Sequence, residues 1–237
     1  MINRPTATVA VSLASIGSLA LGGCAAVTAG TALPTDSPAL TSPESLPAVL
    51  LPAAEVGAAI GGDRLVVTRE VGQPWDDSAH FPAGTAAGCL AIAGAAQQKA
   101  YASSGWTSLL GQVLREPPAA PSWSHFATQA VVLFGTAQAA ADFFTQSRLS
   151  WAGCADRELA YAAQLAPDQV WSVGPVVAAD GVLTVSRAQR APQQWFCQRG
   201  LTVRGNAAVD VEACSLDGPS DAAAAMIRAI GDRLPTA

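Results

Sequence analysis

Residues 195–214 read WFCQRGLTVRGNAAVDVEAC, and the architecture of the chain follows from how this stretch pairs with itself. Two runs with strand character flank Gly205-Asn206. A glycine at the first central position of a two-residue loop suits a type II′ hairpin turn. Centring the turn there sets Arg204 opposite Ala207, and every further pair of opposed residues must have numbers summing to 411. Cys197 and Cys214 meet that condition. Counting outward, they fall on a non-hydrogen-bonded pair, where Cα atoms stand about 4.5 Å apart, within reach of a disulfide. The same register sets Arg199 opposite Glu212, an opposite-charge cross-strand pair beside the bridge. Turn chemistry, cysteine spacing and charge agree on one geometry, and such agreement across levels marks a specified structure.

The remaining cysteines are Cys24, Cys89 and Cys154. Cys24, which closes the N-terminal Leu-Gly-Gly-Cys motif, is set aside as the lipid candidate, so with 197–214 assigned, 89–154 pairs by elimination. A zinc site is the competing use of four cysteines, but it wants CxxC-type spacing, and these are widely separated. Each bridge contributes roughly 3–4 kcal/mol in the chain-entropy model. Against a typical total stability of about 5–15 kcal/mol, an alanine-rich core depends on both.

Disulfides imply an oxidising compartment, and the N-terminus agrees. Residues 1–4 are weakly basic, residues 7–21 are apolar and uncharged, and Leu21-Gly22-Gly23 precedes Cys24. Residues 1–23 therefore read as a signal peptide. Leu-Gly-Gly-Cys resembles the bacterial lipobox, which makes Cys24 the lipidation site; the alternative is a secreted protein with an incidental thiol. At about 0.8 kcal/mol per buried methylene, two or three acyl chains hold a protein durably at a membrane. The expected location is the outer face of the cell membrane.

Residues 24–45 are rich in Thr, Ser, Pro and Ala and read as a tether with an r.m.s. span of about 25 Å. Residues 46–237 are long enough for one domain with a core of its own. After removal of residues 1–23, 18 acidic and 12 basic side chains remain, a formal charge of −6. That balance and the absence of clustered cations exclude a nucleic-acid surface.

Within the domain, 52–60 reads as a short helix closed by Gly61-Gly62, and 65–71 as a strand. Residues 89–102 read as a helix, 106–115 and 125–134 as strands, and 137–151 as a helix capped by Thr136. Its expected buried stripe is Ala137, Ala140, Ala141, Phe144 and Arg148. Strands follow at 158–161, 170–177 and 182–187, the last two joined near Asp180-Gly181. After the hairpin, 219–234 forms a helix with Ala223, Ile227, Ile230 and Leu234 on one stripe. Helices at the ends and middle with runs of strands between them predict an α+β fold with a mainly antiparallel sheet.

Catalytic constellations are sparse. GxSxG, GxGxxG, the P-loop and HExxH are absent, and paired cysteines offer no nucleophile. His125 reads as structural, and His80 sits in the loop DDSAHF, whose spacing matches no metal-ligand pattern. No cofactor and no metal are expected. The six tryptophans read mainly as core bulk, with Trp195 packed on the 197–214 bridge. On the hairpin, Phe196, Val209, Val211 and Ala213 share the face opposite Cys197, so one face is expected to be covered and the other partly so. Gln198, Arg199, Arg204 and Asn206 are the candidate ligand-binding residues, because they supply polar groups on the hairpin.

Cys89-Leu90, Tyr101-Ala102-Ser103-Ser104-Gly105-Trp106, Gln129-Ala130-Val131-Val132, Trp151-Ala152-Gly153-Cys154, Trp195-Phe196-Cys197-Gln198-Arg199 and 209–214 carry a resemblance to the PknH-like extracellular domain family. That family includes the external sensor domain of a mycobacterial receptor serine/threonine kinase and stand-alone mycobacterial lipoproteins. The resemblance covers roughly residues 46–234. It implies a twisted antiparallel sheet, cysteines paired first with second and third with fourth, a large cleft and an unidentified ligand. No kinase domain or retained transmembrane helix is evident. The expected function is a lipid-anchored, extracytoplasmic ligand-binding or sensor-like module that is not an enzyme. Its partners would be the membrane, through Cys24, and a small molecule or envelope component. The alternatives are a carboxylate-dependent envelope hydrolase or transferase, and a structural, partner-binding lipoprotein.

Overall fold

The strand pairing predicted for the hairpin is the spine of the structure, a computed structural model that describes residues 40–81, 89–117, 122–162 and 168–235. The signal peptide, Cys24 and the tether up to residue 39 lie outside the described residues.

In chain order the elements are α1 (Leu46–Val49), α2 (Ala53–Ile60), β1 (Val66–Val71), α3 (Leu90–Ala93), α4 (Gln98–Tyr101), β2 (Trp106–Arg115), β3 (His125–Phe134) and α5 (Ala137–Ala152). They continue with β4 (Glu158–Tyr161), β5 (Gln169–Ala179), β6 (Val182–Gln189), β7 (Phe196–Arg204), β8 (Ala207–Ser215) and α6 (Ala222–Gly231). The eight strands form one antiparallel sheet in the order β1-β2-β3-β8-β7-β6-β5-β4. The α+β, antiparallel expectation holds.

β7 and β8 pair without a bulge, from Arg204 opposite Ala207 to Phe196 opposite Ser215, with Cys197 opposite Cys214. Gly205 has φ 53° and Asn206 is not left-handed, as a type II′ turn requires. At the next hairpin, Asp180 and Gly181 both have positive φ (52° and 74°), the signature of type I′. Both disulfides are present as predicted, Cys89–Cys154 and Cys197–Cys214, with Cα separations of 5.7 and 4.0 Å.

The hairpin is central, and both of its faces are covered, one more fully than its sequence suggests. On one face, Val209, Val211 and Ala213 pack with Val131, Leu133, Met226, Ile227 and Ile230 under α1, α2 and α6. Gly200 admits the close approach of α6, since a Cβ there would fall 2.3 Å from Ile227 Cδ1. The opposite face buries Leu201 and Ala208 with Val132, Phe134, Phe143 and Trp151 under α3, α4 and α5. The result is a three-layer α/β/α arrangement.

Three local expectations need correction. Residues 89–102 do not form one helix: α3 ends where Gly94 becomes extended (φ −167°) and Ala96 turns left-handed (φ 50°). The break lets Ala96 N donate to Asp210 and Ala96 O accept from Trp75 N, bonds that a continuous helix would forbid. The buried face of α5 is Ala140, Phe143, Ser147 and Trp151, one step round from the predicted stripe, because Phe143 reaches Tyr101 and Phe134. Thr136 caps it as expected, its Oγ1 accepting from Ala139 N at 3.1 Å. Finally, the chain joins the folded body before residue 46. Thr41 is buried, its N donating to Asn206 Oδ1 at 2.8 Å and its O accepting from Asn206 Nδ2 at 3.1 Å.

Candidate functional site

At the cysteine end of the hairpin the sheet face under α3 opens into a cleft of about 330 Å³. That lies within the range of small-molecule sites. Its floor is the row Arg187, Cys197 and Cys214, set side by side by the β6–β7 and β7–β8 registers, with Glu212 two residues along β8 from Cys214 on the same face. One wall is Tyr161 of β4 with Trp171 of β5. The other is Phe126 of β3 with Trp123 and Trp195, and Phe81 stands at the margin.

The walls are fixed by their own contacts. Trp123 and Trp195 lie 5.1 Å apart between ring centroids and tilted by 42°, with Phe126 6.0 Å from Trp123. Tyr161 is stacked by His80 at 4.8 Å and met edge-on by Phe81 at 5.5 Å. His80 Nδ1 lies 3.0 Å from Ala162 O, and His80 O accepts from Ala162 N at 2.7 Å, so the 75–81 loop is tied to the end of β4. Burial, aided by the negative charge of Asp77, raises the pKa of the Tyr161 hydroxyl above the usual tyrosine value.

The floor holds the charge chemistry. Arg187 Nη2 donates to Glu212 Oε1, and the two side chains are 6% and 8% exposed. The Arg187 guanidinium also lies over the Trp171 ring, 5.0 Å from its centroid. Its Nε is buried and has no acceptor among the described residues. Burial pushes the pKa of Glu212 up, with Arg187 and Arg199 opposing. Burial likewise lowers the pKa of Arg187, with Glu212 opposing.

Arg199 does stand opposite Glu212, as the register requires, but it is not its ion-pair partner. It reaches diagonally instead, with Nη2 2.6 Å from Asp210 Oδ1. The outcome is a buried row of two arginines and two carboxylates, with formal charges that cancel. Asp210 Oδ2 also accepts from Ala96 N at 2.7 Å and from Tyr101 Oη at 3.0 Å. Burial first, and the adjacent carboxylate second, hold the Tyr101 hydroxyl well above its ordinary pKa.

The four candidate ligand residues are spread over the hairpin, and none of them lines this cleft. Gln198 faces α6, donating to Asp221 Oδ1 and accepting from Ala224 N, both at 3.1 Å. Arg199 is buried under α3 and α5, donating to Ala91 O and Val211 O over the Trp151 ring. Arg204 stands by the turn, 3.8 Å from Asp232, and Asn206 clasps Thr41 and Phe134 O. The cleft residues passed over were Arg187, Glu212, Trp171 and Tyr161. Glu212 carried a usable signal, because the hairpin register puts it on the same face as both cysteines. Arg187 carried none, since residues 190–195 contain no turn motif that fixes how β6 meets β7.

Among the described residues, one His/Cys/Asp/Glu group is compact enough to hold a metal ion, Cys197, Glu212 and Cys214. Its two sulfurs are bonded to each other, which leaves a single carboxylate. His125 serves a different purpose. It is buried with Nδ1 2.8 Å from Glu116 Oε1 and Nε2 3.1 Å from Asp217 Oδ2, joining β2, β3 and the segment before α6.

Two disulfides on a three-layer α+β frame define a domain of the exported, disulfide-bonded class. The chain belongs to the PknH-like extracellular domain family, whose model matches residues 41–233. The crystal structure of the extracellular domain of PknH from Mycobacterium tuberculosis superposes with a TM-score of 0.75 at 27% identity, covering 82% of this chain and 97% of that one. The serine/threonine-protein kinase PknH of Mycobacterium bovis is 29% identical over 212 residues, which is 89% of this chain and 34% of the kinase. Its Mycobacterium tuberculosis counterpart is 30% identical over 182 residues, 76% of this chain and 28% of the kinase. The chain thus spans about a third of the length of the curated relatives it matches. Extracellular membership fits an extracytoplasmic location, and among the described residues no helix is long and apolar enough to cross a membrane.

Proposed function

We propose that this protein is a lipid-anchored, extracytoplasmic ligand-binding module, sensor-like and without catalytic activity of its own. The observation that carries this reading is the aromatic cleft, whose floor presents a buried guanidinium with one donor unspent. A buried N–H without an acceptor is costly, and a ligand that supplies the acceptor recovers that cost on binding. Leu21-Gly22-Gly23-Cys24 supports the lipid anchor, with residues 24–39 as the tether. The relatives named above are serine/threonine kinases, and the portion they share with this chain is their extracellular one. The shared role proposed is reception of a ligand rather than phosphoryl transfer.

A carboxylate-pair hydrolase needs two carboxyl groups about 5–9.5 Å apart across the scissile bond. Among the described residues Glu212 is the one carboxylate lining the cleft, and it is engaged by Arg187. The geometry therefore favours binding over hydrolysis.

The test is native mass spectrometry of protein purified from its own host, wild type beside Trp171→Ala. A non-covalent mass that the wild type retains and the variant loses is the expected result. A bare polypeptide mass for both, even after incubation with host envelope extract, would overturn the reading.

A further inference from the structure

We propose that the cleft takes a neutral, hydroxyl-bearing ring, a saccharide unit, lying against its aromatic wall with one hydroxyl seated between Arg187 Nε and Glu212. This rests on the reading of the cleft as a binding site and deepens it by naming the ligand's chemistry.

The floor selects the polar group. Nε–H and the adjacent Nη2–H of a guanidinium lie in its plane and point out from the same edge. Nη2 already holds Glu212 Oε1, so an atom that accepts from Nε comes to rest beside a carboxylate. An anionic ligand placed there meets Glu212 at close range, with the Arg187 charge already matched. An aliphatic ligand leaves Nε without a partner. A hydroxyl accepts from Nε and donates its own proton to the carboxylate, satisfying both groups with one atom. The charges of the buried row, Arg187, Glu212, Arg199 and Asp210, cancel, which likewise favours a ligand without net charge.

The walls select the body. Trp123 and Trp195 on one side and Trp171 and Tyr161 on the other present aromatic rings across the cleft. Trp171 is held in place by the guanidinium above it, at 5.0 Å, and by its own Nε1–H, which donates to Gln169 Oε1 at 3.2 Å. Such rings offer a large rigid apolar surface. The flat C–H face of a pyranose covers a ring of that kind while its edge carries hydroxyls to the floor. Gln169 stands at the same cleft and supplies an amide to a second hydroxyl.

The test is titration of the oxidised protein, followed by tryptophan fluorescence and calorimetry, with methyl glucoside, methyl galactoside, methyl mannoside and cellobiose. Octanoate and indole are the anionic and apolar comparators. The expected result is saturable binding of at least one saccharide, weakened tenfold or more by Trp195→Ala and restored by Trp195→Phe. Arg187→Lys, which keeps a cation for Glu212 but removes the second donor, should weaken it comparably. Should that variant fail to fold, the Trp195 pair carries the test. Octanoate or indole saturating the cleft while no saccharide binds would overturn the saccharide assignment and leave the binding reading standing. Saccharide binding indifferent to Trp195→Ala would place the sugar elsewhere and overturn this proposal. No response to any probe, together with a bare native mass, would overturn both.

Discussion

Arg199→Met should be among the most damaging single changes in the domain. Arg199 is 1% exposed and its guanidinium is the counter-ion of Asp210, with Nη2 2.6 Å from Oδ1. Methionine keeps most of the side-chain length, and its sulfur can still pack on the Trp151 ring, which lies 5.2 Å from the guanidinium carbon. What it removes is the charge, together with the donors to Ala91 O and Val211 O. Asp210 keeps its bonds from Ala96 N and Tyr101 Oη on Oδ2, but its charge is left uncompensated at 4% side-chain exposure. Breaking a buried pair in this way costs about 3–5 kcal/mol. For a domain of this size about 2–4 °C accompanies each kcal/mol, so the melting temperature should fall by roughly 6–20 °C. Urea unfolding of the oxidised protein, followed by tryptophan fluorescence, measures the same loss as a lower midpoint at an unchanged slope. Adding Asp210→Asn to Arg199→Met should cost far less than Asp210→Asn does alone, a coupling of about 0.5–3 kcal/mol. A single-mutant loss under about 1 kcal/mol, or strict additivity of the pair, would refute the claim that these charges stabilise each other across the strands.

Two further outcomes follow from features outside the cleft. Burial raises the pKa of Glu116, but hydrogen bonds from His125, from its backbone and from the residues around it win, holding the carboxyl below the usual glutamate value. A depressed carboxylate stabilises the fold above its unfolded pKa, and that stability is lost as pH falls through the folded one. Melting temperature should therefore decline more steeply between pH 6 and 3 in the wild type than in Glu116→Gln, and parallel curves would count against the clasp. Cys24→Ser should move the protein from the membrane fraction to the soluble one on cell fractionation, and retention in the membrane fraction would contradict the lipid anchor.

The hairpin was legible because its turn is chemically specific. Gly205 in the left-handed region admits one register, and every cross-strand pair of β7 and β8 follows from it. Strands β2, β3 and β4 begin and end where their apolar runs predict, bounded by Glu116-Pro117 and by polar residues. Helix 89–102 was misread because its interruption is imposed from a distance, by Asp210 on β8 and by Trp75 ahead of α3. No local pattern announces such partners. The cleft was half legible. Trp195 lies on the disulfide side of the hairpin as its position requires, and it does line the cleft. Trp123, in the segment before β3, and Trp171, on β5, converge on it from places far apart in sequence, while Trp151 is fully buried behind Arg199. Choosing among six tryptophans needs the order of the strands, and that order depends on loops with no turn chemistry of their own. Polar residues of the hairpin were natural candidates for ligand contact, yet a central strand covered on both faces turns its polar groups into internal ties.

The clasp between Thr41 and Asn206 also sets the mechanics of the domain. The chain enters the folded body at the turn of the hairpin, through two hydrogen bonds to one amide side chain. The cleft floor lies at the other end of the same strands, roughly 26 Å away from Asn206 to Cys214 at about 3.3 Å per residue. A pull delivered through residue 40 is borne first by those two bonds and then by the length of two strands already cross-linked at their far end. Load applied through residue 40 is thus taken up before it reaches Arg187 and Glu212, and the mouth of the cleft keeps its shape.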